Sequence, residues 1–525
     1  MKQNIKIYIL LLLVLLAVTG CKKSFDDLTI NNNKPSSVPA SLLFTGVVNK
    51  MADLPDNQLE IYDQYYLYNY DYYGNNQFDL GSGDDYYPTL KNVTAMEEQA
   101  VKAGAPALNP YSALGKFFRA YFFSKMSLEM GDIPMSQALQ GLNTLEPAYD
   151  TQKAVMVQSL AWLESANADL TSLIASGDNT LSGDIYNNNS LAAWQKVVNT
   201  FRLRLLIHLS KKTGDAELNV AAQFATVVNN PAKYPVMGSA ADNLQYISII
   251  PNNYYPSNPN NFGNNGSRKN TSATYISLLT SLKDPRVFVT AEPSRYAVDT
   301  LKKSPTDFSA FIGADAGQDL SDMYNQAGLQ RFSFINRKHF YSTYTGEPVI
   351  QIGYPELMFN IAEAINLGWL NGDAAAYYQK GIKASMASYG IPETGSFTAY
   401  FYRPGSTDVT ATSNYDTYPV TASFDAYYNQ PLVAYTSGSA GLKAIQQQKY
   451  IALFRHSGLE SYFNYRRTGV PNFTTGPGTG NGGRIAKRFQ YSAAERTANT
   501  TNYTKALASQ FGGNDDINGI MWILK

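Results

Sequence analysis

Apolar residues recur with the spacing of an amphipathic helix at several places along the chain. The clearest stretch begins at Asn109 and Pro110, a favourable N-cap followed by a proline in the first turn, and it ends at Gly131. Within it, large apolar side chains return every three or four positions: Leu114, Phe117, Phe118, Tyr121 and Phe122. This spacing predicts a helix that buries these side chains in a core.

The same pattern predicts further helices that pack in pairs. Asp150 and Ser190 are expected to cap two helices, each followed by apolar residues at helical spacing. Residues 355–369 and 373–389 form a predicted pair around a short Asn-Gly turn, and residues 442–467 form another. Helices joined by short turns pack as hairpins. The sequence therefore predicts a mainly α fold that resembles a tetratricopeptide-type array without its exact period.

Long segments rich in asparagine, glycine, proline and tyrosine separate the predicted helices: residues 69–88, 251–270, 391–440 and 471–483. Loops of this length in a compact chain are usually functional or disordered. Their aromatic content argues against disorder. We therefore expect long irregular loops, and we expect the minor β-structure of the fold to be confined to them.

The chain begins with a segment that resembles a lipoprotein signal peptide. Two lysines precede an apolar stretch, residues 7–18, which is too short to span a bilayer. It ends in Val-Thr-Gly-Cys, which resembles the bacterial lipobox, where the cysteine thiol becomes lipidated. We predict that residues 1–20 are a signal peptide, that Cys21 is the lipid anchor, and that residues 21–40 are a flexible tether. The alternative is a free thiol after an ordinary cleavage site.

The composition excludes several classes of protein. Lys+Arg and Asp+Glu both number 42, without a long basic run, so nucleic acid is not an expected partner. A single cysteine excludes an intrachain disulfide framework and cysteine-rich zinc sites, and only three histidines are present. No cofactor is predicted. Charged residues make up 16%, so the surface is expected to be polar without being ionic.

Sequence motifs for catalysis are weak or missing. Residues 478–483 satisfy the G-x-G-x-x-G pattern, but no strand precedes them and no helix follows. The chain has no nucleophile elbow, phosphate-binding loop or H-E-x-x-H motif. A catalytic triad would have to use His208, His339 or His456, and of these His208 and His456 are expected to be packed or helix-end residues. Because two suitably spaced carboxylates suffice for a glycosidase, a surface-anchored secreted hydrolase acting on glycans is the alternative function.

One acidic stretch in the first long segment offers oxygen ligands. Asp79, Asp84 and Asp85 are spaced by Gly81 and Gly83. This arrangement is a loose match to a calcium loop, but it lacks the strict spacing of an EF-hand. Calcium binding is therefore a secondary interpretation of this stretch.

Tyrosine and amide side chains are concentrated in residues 62–87. A tyrosine ring offers an apolar face and a hydroxyl, and amides and carboxylates offer paired hydrogen-bonding groups. Together they suit an oligosaccharide well and a peptide less well. Helical spacing assigns one group of tyrosines to the core: Tyr62, Tyr65, Tyr66 and Tyr73. The predicted ligand-binding residues are those left to face solvent: Tyr70, Tyr72, Asn75, Asn76 and Asp79.

Three stretches together resemble the SusD/RagB family of nutrient-binding outer-membrane lipoproteins, in its SusD-like branch from Bacteroidetes. Residues 113–134 (ALGKFFRAYFFSKMSLEMGDIP) are similar to the family's aromatic helix and its Gly-Asp-hydrophobic-Pro turn. Residues 354–366 (YPELMFNIAEAIN) are similar to its Tyr-x-Glu helix. Residues 448–471 (QKYIALFRHSGLESYFNYRRTGVP) are similar to its Arg-Arg-x-Gly turn segment, although Arg455 and His456 depart from the commoner acidic or Glu-Arg pair.

The resemblance implies a fold and a function. It implies a single SusD-like helical domain over residues 41–525, anchored by lipid to the outer membrane and facing the cell exterior. It implies a non-enzymatic substrate-binding lipoprotein that captures oligosaccharides or peptides and delivers them to a SusC-like TonB-dependent transporter. The carbohydrate-contact residues of starch-binding members have no clear counterparts here, so the ligand does not follow from the family.

Charged residues within these matching stretches have a structural explanation as well. Buried charges in a helical array need partners. We therefore expect five of them to pair across packed helices rather than to do chemistry: Glu356, Glu363, Glu460, Arg466 and Arg467.

Replacing the predicted anchor residue tests the lipoprotein hypothesis. Cys21→Ser should leave a folded but unanchored protein, because the residue lies in the predicted tether and not in the core. Labelling with palmitate and membrane fractionation measure this. Labelling of the Cys21→Ser protein, together with its sedimentation with the outer membrane, would contradict the lipobox interpretation.

Overall fold

The computed structural model describes residues 37–525. Residues 1–36 lie outside the described residues, and with them the predicted signal peptide, the anchor candidate Cys21 and most of the predicted tether. The first described element is a helix that begins at Ala40.

Helices dominate the described chain. In the first half they are α1 Ala40–Asn49, α2 Gln58–Tyr62, α3 Tyr87–Lys102, α4 Pro110–Met130, α5 Gln152–Ala175, α6 Leu191–His208, α7 Val220–Asn229 and α8 Phe262–Asn265. In the second half they are α9 Ala273–Ser281, α10 Val287–Thr290, α11 Leu320–Gly328, α12 Arg337–Tyr341, α13 Tyr354–Asn366, α14 Ala374–Ser388, α15 Phe424–Tyr428, α16 Ser439–Ala452, α17 Glu460–Thr468, α18 Ala493–Ala498 and α19 Thr500–Phe511. The predicted mainly α fold class is confirmed.

The strands form small two-stranded antiparallel sheets. They are β1 Tyr66–Tyr68, β2 Leu244–Tyr246, β3 Lys269–Thr271, β4 Val349–Ile352, β5 Thr394–Tyr402 and β6 Tyr415–Ser423. Strand β1 pairs with β3, β2 with β4, and β5 with β6. The hairpin of β5 and β6 lies in the long segment 391–440, as expected. The pair of β2 and β4 lies outside the predicted long segments, so the expectation that strands are confined to loops is wrong.

The helices pack in two groups that meet at one junction. Helices α3 to α7 each pack against the next, and α1 packs on α3. Helices α13, α14 and α16 form the second group. Helix α6 contacts both α13 and α17, and so it joins the two groups. The buried apolar side chains form one continuous cluster that extends from Phe44 to Ile523.

Helix α4 is the most deeply buried helix segment of the first group. Asn109 caps it as predicted, accepting hydrogen bonds from the backbone N–H of Tyr111 and Ser112, each at 3.0 Å. The sequence pattern indicated one apolar face, yet nearly every residue of the helix is buried because α1, α3 and α5 all pack against it. Its three cationic side chains, Lys116, Arg119 and Lys125, are each paired with a carboxylate, as in the contact of Lys125 with Asp53 at 2.7 Å.

Most predicted helix ends are confirmed, with one correction. Ser190 caps α6 as predicted. Asp150 is not a cap, because Thr151 holds that place and the Asp150 carboxylate accepts from the backbone N–H groups of Met135 and Ser136 instead. The helix pair predicted over residues 442–467 is confirmed as α16 and α17, separated by a turn in which Arg455, Ser457 and Gly458 have positive φ.

The charged residues of the family-like stretches have structural partners. Glu356 pairs with Arg204, Glu363 with Arg467, and Glu460 with His208. These contacts join different helices, as expected. Arg466 differs, since its guanidinium donates to the backbone carbonyls of Leu128 and Lys487, both at 2.7 Å, and not to a carboxylate.

None of the helices in the described residues combines the length and apolar character needed to cross a membrane.

Asp132, in the Gly-Asp-Ile-Pro turn after α4, should make the stability of the protein depend on pH. Burial raises the pKa of the Asp132 carboxyl to about 6, although its bond from the Gln152 N–H at 2.7 Å acts in the opposite direction. The native state holds this proton more tightly than the unfolded chain does. The free energy of unfolding therefore falls as pH rises from about 4 to about 6, the range in which the unfolded chain loses the proton first. Above that range the native state carries an unfavourable buried charge.

Asp132→Asn should therefore stabilise the protein above pH 6 by about 1 to 3 kcal/mol and have little effect near pH 4. Asparagine retains the oxygen that accepts from Gln152, so the turn is preserved. Denaturant unfolding at pH 4 and pH 7.5 measures the difference. An equal effect of the substitution at both pH values would contradict the account.

Candidate functional site

Three exposed tyrosines form a continuous aromatic surface, which we call the tyrosine platform: Tyr70, Tyr72 and Tyr324. Their exposed fractions are 39%, 79% and 51%. The Tyr70 ring lies between the other two, with centroids 6.3 Å from Tyr72 and 5.0 Å from Tyr324, and the neighbouring rings are inclined by about 30°. Within the described residues the only other tyrosine of comparable exposure is Tyr254. The platform is thus a local concentration of solvent-facing rings, whereas nearly all other described tyrosines are buried or half-buried.

The underside of the platform is held by packing against a cation. The Tyr73 ring meets Tyr70 and Tyr72 edge to face, at 5.5 and 5.1 Å between centroids. The Arg268 guanidinium lies over the Tyr73 ring, 3.5 Å from its centroid. This corrects the assignment of Tyr73 to the core by helical spacing. Tyr73 is half-buried and supports the exposed rings.

The tyrosine-rich segment does not continue as a helix after Tyr62, and its change to a strand determines where the platform lies. Helix α2 ends at Tyr62, and the chain then enters strand β1, which pairs with β3. Tyr65 and Tyr66 are buried, as predicted, but from a turn and a strand and not from one helical face. Because β3 directly follows Arg268, the strand pairing brings Arg268 to the tyrosines.

Asn76 is buried and holds the loop together, so the expectation that it faces solvent or ligand is wrong. Only 2% of it is exposed. Its side-chain oxygen accepts from the N–H of Tyr68 and its amide donates to the carbonyl of Tyr68, both at 2.8 Å. Its amide also lies 3.9 Å from the Met323 sulfur, on the helix that carries Tyr324. Asn76 thus bonds to the backbone of Tyr68 as a neighbouring strand would, and it connects the loop of Tyr70 and Tyr72 to the helix of Tyr324.

Gly74 is required by the close return of the chain over strand β1. Its φ is 157°, and a Cβ atom at this position would lie 2.6 Å from the Tyr68 ring. A side chain here would push the loop away from Tyr68. The platform segment therefore depends on a glycine between Tyr73 and Asn75.

The two remaining predicted residues are exposed, with mainly local contacts. The Asn75 side chain accepts from the Gln77 N–H at 3.0 Å and leaves its amide facing solvent. The Asp79 carboxylate accepts from the N–H of Asn481 at 3.1 Å. Asp79 thereby holds the glycine-rich segment 478–483, which forms short 3₁₀ turns and has no dinucleotide-binding context.

A pocket of about 300 Å³, which we call the polar pocket because three arginines line it, includes residues that are close in sequence to the platform and its support. Ser267, the neighbour of Arg268, lies in its wall, and so does Gln330, which follows the helix of Tyr324. Three arginines line it, and each has a carboxylate partner: Arg337 with Glu292, Arg295 with Asp299 at 3.1 Å, and Arg403 with Asp416 at 2.6 Å. The balanced charges suit neutral hydroxyl groups better than an anion.

The acidic residues considered for calcium do not converge. The Asp84 carboxylate accepts from the Tyr86 hydroxyl at 2.9 Å and lies 3.9 Å from Lys125, whereas Asp79 contacts the segment of Asn481. Across residues 37–525, no group of three or more histidine, cysteine, aspartate or glutamate side chains is placed to hold a metal ion. The geometry therefore does not support the calcium interpretation of this stretch.

Sequence reasoning missed Tyr324 and Arg268. Helix α11 gave a weak signal, because Met323 is its only buried residue and Tyr324 faces solvent. Arg268 lies in an irregular segment, and only the pairing of β1 with β3 brings it to Tyr73. Both residues depend on contacts between distant parts of the chain, which periodicity cannot reveal.

Comparison with known proteins defines the family. The SusD-like family model, described as "Starch-binding associating with outer membrane", matches residues 32–492. The chain therefore belongs to the SusD-like family. Among proteins with curated functions, none matches this chain.

Solved structures of several Bacteroidetes proteins share the fold. A SusD homologue of Bacteroides fragilis is 30% identical with a TM-score of 0.78, and the match covers 93% of this chain and 100% of the other. An outer-membrane protein of Bacteroides vulgatus, connected by its description with nutrient binding, is 30% identical with a TM-score of 0.77 and the same coverage. A chitin-binding SusD homologue of Flavobacterium johnsoniae is 23% identical with a TM-score of 0.68 over 93% and 98% of the two chains, which supports the fold alone.

Proposed function

We propose that this protein is a cell-surface lipoprotein that captures oligosaccharides on the tyrosine platform and delivers them to a SusC-like TonB-dependent transporter. The observation that carries the proposal is the platform itself. The exposed Tyr70 ring contacts the exposed rings of Tyr72 and Tyr324, Tyr73 with Arg268 supports them, and neighbouring chain segments line a charge-balanced polar pocket. Tyrosine faces bind the CH faces of sugars, and the pocket offers hydrogen bonds to hydroxyl groups.

The energetics require several contacts at once. If one sugar ring covers about 50 Å² of a tyrosine face, each platform ring contributes little more than about 1 kcal/mol. A micromolar site needs about 8 kcal/mol. An oligosaccharide that extends over the platform and into the polar pocket meets this requirement better than a monosaccharide does. A peptide ligand is the less favoured choice, since the pocket arginines are already paired with carboxylates.

Family membership supports the location and the absence of catalysis in this proposal. The family description associates its members with the outer membrane. Lipidation of Cys21 would anchor the chain there, with residues 21–40 as a tether between the lipid and helix α1. The role is binding without turnover, and measured hydrolysis of a glycan by the purified protein would favour the alternative of a surface-anchored hydrolase.

The first experiment identifies a ligand. Soluble mature protein with Cys21→Ser is screened on a glycan array that includes chito-oligosaccharides and malto-oligosaccharides, because chitin and starch are the ligands of related proteins. Binding to at least one oligosaccharide series is the expected result. An array without any glycan binding, combined with peptide binding, would overturn the oligosaccharide assignment.

Single substitutions then test the platform. Tyr72→Ala and Tyr324→Ala should each weaken binding of the array-identified glycan by about 1 to 3 kcal/mol, and Asn75→Ala should act in the same direction through a lost hydrogen bond. Melting temperatures should change little, because these side chains are largely exposed. Calorimetric titration beside a melting curve measures both quantities.

Tyr254→Ala is the matched control. Tyr254 is 41% exposed, but its ring contacts Tyr344 and not the platform. Its removal should leave glycan affinity unchanged. Platform variants that bind as tightly as the control, or that lose stability while their folded fraction binds normally, would show that the rings are packing residues.

A further inference from the structure

A second pocket lies between helix α12 and strand β5, and we call it the hairpin pocket. Its volume is about 520 Å³, which is within the range of small-molecule sites. It shares no lining residue with the polar pocket. Its polar walls come from α12 and from the two loops after α12 and α14, and its aromatic wall comes from β5: Asn336, Lys338, His339, Glu347, Tyr389, Phe397 and Tyr400.

Two polar groups in this wall are buried without a hydrogen-bond partner. They are the Tyr389 hydroxyl and one carboxylate oxygen, Oε1, of Glu347. Only 6% of Tyr389 is exposed. Buried polar groups are nearly always paired, and an unpaired one destabilises the native state, so two in one wall call for a physical explanation.

The two unpaired groups belong to one cluster with His339. The His339 Nε2 is 2.8 Å from the other Glu347 oxygen, Oε2. The His339 ring lies 5.5 Å from the ring of Tyr389. His339 therefore engages one oxygen of Glu347 and the ring of Tyr389, but not the Tyr389 hydroxyl. Glu347 keeps one oxygen, and Tyr389 its hydroxyl, for a further partner.

The charges around the cluster indicate which partner fits. Burial alone would raise the pKa of Glu347, but His339, with His456 and Arg455 behind it, lowers that pKa below its usual value. An ionised Glu347 accepts hydrogen bonds and repels anions. A cationic ligand is also disfavoured, because the Lys338 ammonium lies 5.9 Å from the Tyr400 ring and 5.3 Å from the Tyr415 ring on the aromatic side.

We propose that the hairpin pocket is a second, separate sugar-binding site that takes a neutral monosaccharide or disaccharide unit. One sugar hydroxyl donates to Glu347 Oε1, and a neighbouring hydroxyl bonds to the Tyr389 hydroxyl. The half-buried aromatic residues Phe397 and Tyr400 line the pocket and supply apolar surface for the CH side of the sugar. The site stands apart from the tyrosine platform, and its proposal does not depend on glycan capture there.

The test uses the full mature chain with Cys21→Ser, in a background that also carries Tyr72→Ala and Tyr324→Ala so that the platform does not contribute. The probes are glucose, galactose, mannose, N-acetylglucosamine and their common disaccharides, measured by saturation-transfer NMR and calorimetry. Binding of at least one probe is expected. Tyr389→Phe and Glu347→Gln should each weaken it about tenfold or more, the loss expected for one hydrogen bond to the ligand.

Stability measurements separate a binding role from a packing role. Tyr389→Phe removes a hydroxyl without a partner, so it should leave the melting temperature equal or higher. The control is Tyr378→Phe. The Tyr378 hydroxyl is buried and donates to the Val433 carbonyl at 2.9 Å, so its removal should lower the melting temperature. Failure of every probe to bind, or equal affinity of the Tyr389→Phe protein, would overturn the second site and leave the platform proposal untouched.

Discussion

A buried network of charged side chains fixes the junction on which the rest of the structure depends. Three carboxylates at this junction are each paired with basic side chains from other helices: Glu356 with Arg204, Glu363 with Arg467, and Glu460 with His208, Arg204 and Lys449. Burial alone would raise the pKa of Glu460, but His208 and Arg204 hold it well below its usual range. An unpaired buried charge is strongly destabilising. The network therefore permits only one relative arrangement of α6, α13, α16 and α17.

The same junction positions the platform. The residue after Glu460, Ser461, lies 2.6 Å from the Tyr65 hydroxyl, and the N–H of Tyr462 donates to Asp63 at 2.6 Å. These bonds fix the chain just before strand β1. The exposed rings are then held in position by contacts with strand β1, Asn76 and Arg268. A rigid base with exposed rings suits weak, extended recognition, because little conformational entropy is lost when a ligand binds.

The sequence predicted features that arise from local chemistry. The helix after Asn109, the cap at Ser190, and the exposure of Tyr70 and Tyr72 all follow from capping preferences and periodicity. Paired carboxylates such as Glu356 were predicted because a helical array cannot bury them alone. Asn76, Tyr73 and Tyr324 could not be placed, because their positions depend on the pairing of β1 with β3 and on helix α11, both distant in sequence. The spacing of the tyrosines matches that of a helix, but Gln64 has a φ of 53°, which ends the helical turn, and strand β1 follows.

A crystal structure of the soluble protein with the oligosaccharide that binds most tightly on the array is the most direct measurement of the central claim. The account predicts sugar rings against Tyr72, Tyr70 and Tyr324, with the oligosaccharide extending toward Ser267 and the polar pocket. The account also predicts that the backbone of residues 66–80 stays where it is in the free protein, because Asn76 and strand β3 hold it. An oligosaccharide bound only at a surface that includes none of the three platform tyrosines would contradict it.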